Sequence, residues 1–396
     1  MITSFGTNAS RKVIATLESA GHDAVFVGGA VRDHFLDRIA TDFDIATSAS
    51  PIDIKRLFTV TVDIGIEHGT ILVVLNGERI EVTTYRAGKT KLDNSQTHGT
   101  VFVNSLREDL QHRDFTINAL ALNLNGELID LFEGVSDLQK RLIKTVGNPN
   151  ERFKEDALRM LRAMRFSSVL GFDIDGATYM AIMQNANKLR EVSVERIKIE
   201  MDKLWTGIES QRAIQSVSDS GLADYLPLFP RGVGSLMTCA PFNSTTEGWA
   251  CLMLTGGFAS SEIAKAYKLS NSEKAFLSDV ERAFQSRCVR LYEIEDYYRF
   301  SLDVLIIAEK VFSILYPDEK HVSEKEIKKA LLNMKIRSKE DLKVTGTDLI
   351  NWRNERGGQW VGESLAKIES AVLHGKLAND MDDIKEWFLN DNKREE

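Results

Sequence analysis

The chain has 396 residues, of which 43% are apolar and 27% charged, with a net charge of −8 and a pI near 5.6. That length predicts about two to four domains, each large enough for its own core. The acidic balance argues against a non-specific nucleic-acid binder; no run approaches the ~18 apolar residues of a membrane span, and residues 1–10 lack the basic and apolar blocks of a secretory signal.

From the N-terminus, residues 10–20 read as a short amphipathic helix and Asp23 to Val27 as a buried strand. The strand ends at Gly28-Gly29, where glycine permits a positive φ or close backbone approach. A helix from Val31 to Arg38 follows. Strand, glycine turn and a helix carrying Arg32 in its first turn make a candidate anion site, because free N–H groups and the helix dipole meet a phosphate there. Next, a strand would project Asp42 and Asp44 to one face, with Phe43 and Ile45 on the other. Neighbouring carboxylates in an apolar run repel unless a cation joins them. Hard oxygen donors at this spacing suit Mg2+ bound together with substrate phosphates. A turn or helix cap is the plainer reading of a bare Asp-x-Asp; the upstream glycine turn favours the metal.

Asn76-Gly77 between two apolar stretches predicts a hairpin, with strands over Ile71 to Leu75 and Arg79 to Tyr85. Glu81 is an acid in mid-strand, either a solvated edge residue or a third carboxylate beside the aspartates. Residues 87–104 lack periodicity and read as a mobile loop near the site. Arg113, Asp114 and Asn118 then form a polar cluster ahead of an apolar strand. They suit a ribose and a phosphate, and equally a helix-capping network.

A single helix is predicted over residues 150–169. Phe153, Ala157, Met160, Leu161 and Met164 fall in one arc, and Asp156, Arg159, Arg162 and Arg165 fan round the opposite side. Asp156 and Arg159, at i and i+3, can project together. The plain reading is a surface ion pair. The chemical reading is that a carboxylate acceptor beside a guanidinium donor matches the amine and ring nitrogen of cytosine and adenine. The same pair mismatches uracil and guanine, at roughly 1–3 kcal/mol per unpaired buried group. Arg162 and Arg165 remain for triphosphate or ribose.

From Leu138 to Trp205 there are 13 Lys/Arg and 9 Asp/Glu, a local excess of +4 in an acidic chain. Ser193 reads as the N-cap of a helix, and from about residue 208 the chain reads as helical. Cys239, Cys251 and Cys288 show neither zinc spacing nor a disulfide framework, and read as free thiols in a reducing cytoplasm. Lys328, Lys329, Lys335, Arg337 and Lys339 cluster, as an RNA-backbone face or as a solvated one.

These motifs together resemble the class II tRNA nucleotidyltransferases, the CCA-adding enzymes, of the compact bacterial type. The resemblance rests on Gly28 to Asp33 with Asp42 to Thr47, on Arg113 to Ala119, on Glu155 to Arg162, and on Ser193 to Ile197, in that order. It implies an elongated, seahorse-like molecule: an α/β nucleotidyltransferase head with a small mixed sheet, then an all-α neck, body and tail. The expected bounds are 1–148, 149–207, 208–310 and 311–396. By the same resemblance, Asp42 and Asp44 hold two Mg2+ ions and Glu81 is the third catalytic carboxylate. Gly29 and Arg32 touch the triphosphate. Arg113, Arg162 and Arg165 bind the nucleotide, with Asp114 and Asn118 near the ribose. Asp156 and Arg159 replace a nucleic-acid template. The implied substrates are CTP, ATP and a tRNA 3′ end, with the tail on the tRNA elbow, in the cytoplasm. The chain is expected as a monomer or homodimer. Two departures stand out: Asp93-Asn94 is followed by Ser95-Gln96-Thr97 where relatives often carry Arg-Arg-Pro, and His112 stands where arginine is common. A poly(A) polymerase, a CC-only or A-only enzyme, and a catalytically silent RNA-binding protein are the alternatives.

Overall fold

Thr7 and Ser10 cap helix α1 (Asn8–Ser19) reciprocally, each side chain accepting from the other's backbone N–H. Strand β1 (Ala24–Val27) follows, four buried apolar residues that suit a strand paired on both sides. Helix α2 (Gly29–Phe35) leaves it directly, and β2 (Asp44–Thr47) returns beside it. Ser50 caps α3 (Pro51–Leu57), with proline at the first helical position where no donor is lost. Strands β3 (Thr61–Gly65), β4 (Thr70–Leu75) and β5 (Glu78–Thr84) come next. The expected hairpin is present: Asn76 and Gly77 have φ of 53° and 82°, the paired left-handed conformations of a two-residue turn. The computed structural model describes residues 5–40, 42–65, 69–91, 98–103 and 105–395.

Residues 87–104, expected as a loop, are a ribbon in their described parts. Strands β6 (Arg86–Lys91) and β7 (His98–Phe102) pair antiparallel. Cross-strand backbone bonds hold such a ribbon without apolar alternation, so the sequence carries no period-2 signal. Asp93 to Thr97 lie outside the described residues. Helix α4 (Leu106–Gln111), strands β8 (Leu120–Leu122) and β9 (Leu128–Asp130), helix α5 (Gly134–Gln139) and strand β10 (Leu142–Ile143) follow. Seven strands form one sheet in the order β3-β4-β5-β2-β1-β8-β9. It is mixed, because β2 and β5 run parallel while the other neighbours run antiparallel.

The helix expected over 150–169 is two helices, α6 (Pro149–Glu155) and α7 (Leu158–Leu170). Between them Asp156 is extended, with φ −152° and ψ 105°, and its Oδ1 accepts the Leu158 N–H at 3.2 Å. Aspartate competes for backbone donors in this way, which breaks the helix although the apolar period continues through it. The predicted apolar arc is buried throughout, from Phe153 to Met164. Strand β11 (Asp173–Ile174) and helices α8 (Gly176–Asn185), α9 (Val194–Trp205) and α10 (Ser210–Asp219) complete the first of two compact units, residues 1–233 with 240–245.

The second unit, residues 234–239 with 246–396, is helical in its described residues. Its C-terminal half packs around Leu349, Ile368, Val372, Ile384 and Phe388. Asp348 accepts from Thr345 N–H at 2.7 Å, which caps the helix Gly346–Arg353. Of the clustered cations, Lys328 pairs with Glu324, and Lys339 lies 3.7 Å from Glu369. No helix among the described residues is long and apolar enough to cross a membrane.

Candidate active site

Strand register assembles one end of the sheet. Val27 pairs with Asp44, so Gly28 and Asp44 lie side by side. Ile45 pairs with Val82, which brings Asp44 and Glu81 to the same face one residue earlier. Val27 also pairs with Ala121, placing Asn118 just beyond the same end. Residues 28, 44, 81 and 118, scattered along the sequence, are therefore aligned toward one end of the sheet by backbone pairing.

Gly28 adopts φ 75° and ψ −136°, which side-chain-bearing residues rarely adopt. A Cβ there would sit 3.2 Å from Arg113 Nη1 and 3.5 Å from Asp44 Oδ2. The glycine thus lets the backbone pass between a cation and an anion. Asp42 precedes β2 and is exposed, whereas Asp44 opens β2 and is half-buried. Phe43 packs edge-on to Phe5 and Phe26, and Ile45 is fully buried, as the alternation predicts.

The Asp44 carboxyl is pushed up to about 6, first by burial, then by the charge of Glu81, with Asp42 adding and Arg113 opposing. Like charges crowd one carboxylate, an arrangement that a divalent cation relieves. These hard oxygen donors suit a divalent cation with substrate phosphates completing its shell. Among the described residues, no three acidic, histidine or cysteine side chains already converge as a ligand set.

The ribose candidates form a buried chain of bonds. Asp114 Oδ1 accepts from Phe115 N–H at 2.8 Å and from Asn118 Nδ2 at 3.0 Å. Its Oδ2 accepts from Arg162 Nε at 2.8 Å and lies 2.6 Å from Arg162 Nη2. Arg32 Nη1 donates to Asn118 Oδ1 at 2.8 Å, and Arg32 also pairs with Asp33. Burial raises the Asp114 carboxyl, but Arg162 and the three hydrogen-bonding groups outweigh it and hold it at about 2. These residues form a hydrogen-bonded network that lies beside the glycine turn. Arg162 and Arg165 share Glu200 of α9, at 3.3 and 3.0 Å. Expected on the side opposite the apolar arc, both arginines are largely covered.

Asp156 and Arg159, expected as a templating pair, are arranged differently from a shared helical face. Asp156 accepts a two-pronged bond from Arg196 of α9, at 3.2 and 2.7 Å. Arg159 donates to Glu155 at 2.7 Å, to the Arg152 carbonyl at 3.2 Å and to the His112 carbonyl at 2.7 Å. Asp156 remains about one-third exposed, at 32% of its side chain.

Several residues of this surrounding were missed from the sequence. Asp109 accepts from Arg113 at 3.2 Å, an i, i+4 pair that spacing alone could have shown. Arg152 donates to the Gln111 carbonyl at 3.3 Å and meets His112 Nδ1 at 3.1 Å. With Arg159 and Arg162 it ties residues 111–114 to α6 and α7. Burial, then Arg152, lowers the His112 imidazole below its usual range. Glu200 carried no signal beyond its spacing on α9, whereas Arg196 fell within the Ser193 to Ile197 motif without a role assigned to it.

Comparison with known proteins accords with this geometry. A model of the poly A polymerase head domain matches residues 24–144, one for a probable RNA- and SrmB-binding site of polymerase A matches 171–231, and one for tRNA nucleotidyltransferase domain 2 matches 240–388. The CCA-adding enzyme of Bacillus velezensis is 42% identical over 391 residues, covering 95% of this chain and 96% of that protein. That of Bacillus cereus is 36% identical over 382 residues, covering 95% and 96%. The crystal structure of the Bacillus stearothermophilus CCA-adding enzyme in complex with CTP superposes with a TM-score of 0.81 at 35% identity, covering 98% of each chain. With family models, sequence identity and near-complete coverage in agreement, the chain belongs to the CCA-adding enzyme family of tRNA nucleotidyltransferases.

Proposed function

We propose that this chain builds and repairs the 3′-terminal C-C-A of tRNA from CTP and ATP, without a nucleic-acid template. The observation that carries this is the sheet end where Gly28, Asp44, Glu81 and the Asp114–Asn118 pair meet, in a chain of this family. Asp42 and Asp44 would hold Mg2+, with Glu81 as the third carboxylate. When bound, the metal lowers the pKa of the attacking 3′-hydroxyl and offsets charge on the triphosphate. Gly29 and Arg32 face the triphosphate at the start of α2, and Arg113 stands across the Gly28 turn. Asp114 and Asn118 meet the ribose, held in place by Arg162 and Arg32. Arg162 and Arg165 supply positive charge to the bound nucleotide.

Asp156 and Arg159 select the base. The Asp156 carboxylate accepts from the exocyclic amine of cytosine or adenine, and Arg159 donates to the adjacent ring nitrogen. Arg196 holds the carboxylate in this structure. The same reading divides the chain into head 1–148, neck 149–207, body 208–310 and tail 311–396, with the tail on the tRNA elbow and the enzyme in the cytoplasm.

The test is incubation with tRNA lacking its 3′ end, CTP, ATP and Mg2+, followed by product sequencing. C-C-A addition is expected. A homopolymer, a partial end or no incorporation would overturn the reading.

A further inference from the structure

Three guanidinium groups surround one buried ring. The Cζ atoms of Arg32, Arg162 and Arg165 lie 5.2, 5.5 and 3.7 Å from the centroid of Phe166. Phe166 is 3% exposed and meets the edge of Phe115 at 5.7 Å. Arg32 comes from α2 and the other two from α7, so the ring lies where two otherwise separate elements bring like charges together. Each arginine has a defined onward partner. Arg32 donates to Asn118, Arg162 to Asp114, and Arg165 pairs with Glu200. The crowding is evident at Arg165, which burial lowers to about 10, with Arg162 and Arg32 adding to the fall and Glu200 opposing it.

An aromatic face carries negative potential and attracts cations, the more strongly when water is excluded. An aliphatic residue of similar volume fills the space without that potential. We infer that Phe166 is a positioning residue for ribose recognition: its ring holds Arg32, Arg162 and Arg165, and through the first two it sets Asn118 and Asp114. This rests on the reading of Asp114 and Asn118 as the ribose contacts.

The test replaces Phe166 with phenylalanines bearing one, two and three ring fluorines, which drain the face of negative potential while nearly keeping its shape. The KM for CTP should rise and the preference for CTP over dCTP should fall stepwise, by about ten-fold across the series, with the melting temperature unchanged. Phe166→Leu, measured on the same axes, should match the most fluorinated ring. Asn118→Ala serves as the control for the ribose reading. If Asn118→Ala lowers the CTP preference while the fluorine series and Phe166→Leu stay flat, the positioning role is wrong. If Asn118→Ala itself leaves the preference unchanged, the ribose reading falls, and the inference with it.

Discussion

Asp114 and Arg162, 48 positions apart in sequence, form a charge pair at 2.6 Å in which the carboxylate is almost fully covered. The pair joins the loop before β8 to α7. A buried carboxylate of this kind is stable only with its partner present, so removing Arg162 leaves an uncompensated charge. Arg162→Ala should therefore cost about 3–5 kcal/mol of unfolding free energy, as well as nucleotide affinity. Urea titration of the variant measures the first, and the KM for CTP the second.

The same pair makes an acid-sensitivity prediction. The Asp114 carboxyl is held at about 2 in the fold, against a reference value of 3.8. A depressed folded pKa contributes stability that is present above the unfolded value and lost as pH falls through the folded one. The contribution is roughly 2 kcal/mol, present above pH ~4 and fading toward pH ~2. The stability difference between wild type and Asp114→Asn should narrow as pH is lowered through that window. A difference that stays constant there would show that Asp114 is not the group responsible.

Two glycines with positive φ should behave differently. Gly77, at φ 82°, has open space where a Cβ would project, with no atom within 4 Å, so Gly77→Ala strains only the turn. About 1–2 kcal/mol of stability should be lost, with incorporation intact. Gly28→Ala places a methyl 3.2 Å from Arg113 Nη1, beside Asp44. Incorporation should fall by orders of magnitude more than the stability change explains, and a primer-extension assay beside a thermal melt separates the two.

Asp44→Ala should abolish incorporation while raising stability or leaving it unchanged, because it removes a half-buried carboxylate crowded by Glu81 and Asp42. Chelation of divalent cations should likewise stop incorporation and leave the circular dichroism spectrum unaltered. Loss of helical signal on chelation would assign the metal a structural role instead.

The Asp156–Arg196 contact is partly exposed, so Arg196→Ala should cost under about 1 kcal/mol of stability. Asp156→Ala should nevertheless erode discrimination of CTP and ATP against UTP and GTP by roughly ten- to a hundred-fold, the scale of one or two unpaired polar groups. Wild-type selectivity in that variant would remove Asp156 from the template role.

Local chemistry was legible along the chain. Alternation marked Phe43 and Ile45 as core, the Asn76-Gly77 pair marked the hairpin, and the apolar arc of α6 and α7 was legible in its period. These features depend on neighbours within a few residues, which a sequence displays directly. The break at Asp156 was missed because an apolar period passes unchanged through a residue that caps its own backbone. The β6–β7 ribbon was missed because backbone pairing needs no apolar pattern.

By itself, the sequence determined which residues could do the chemistry: the glycine turn, the carboxylates, and the arginines of α7. Only the tertiary structure decided which of them meet. The register of β1 with β2 and of β2 with β5 brings Gly28, Asp44 and Glu81 to one end of the sheet. Desolvation then selects a partner across a long separation, Arg162 for the buried Asp114, and the fold also seats Arg32 against Asn118 and Arg196 against the partly exposed Asp156. A buried charge takes the opposite charge that the fold brings within reach, and spacing along the chain does not encode that distance.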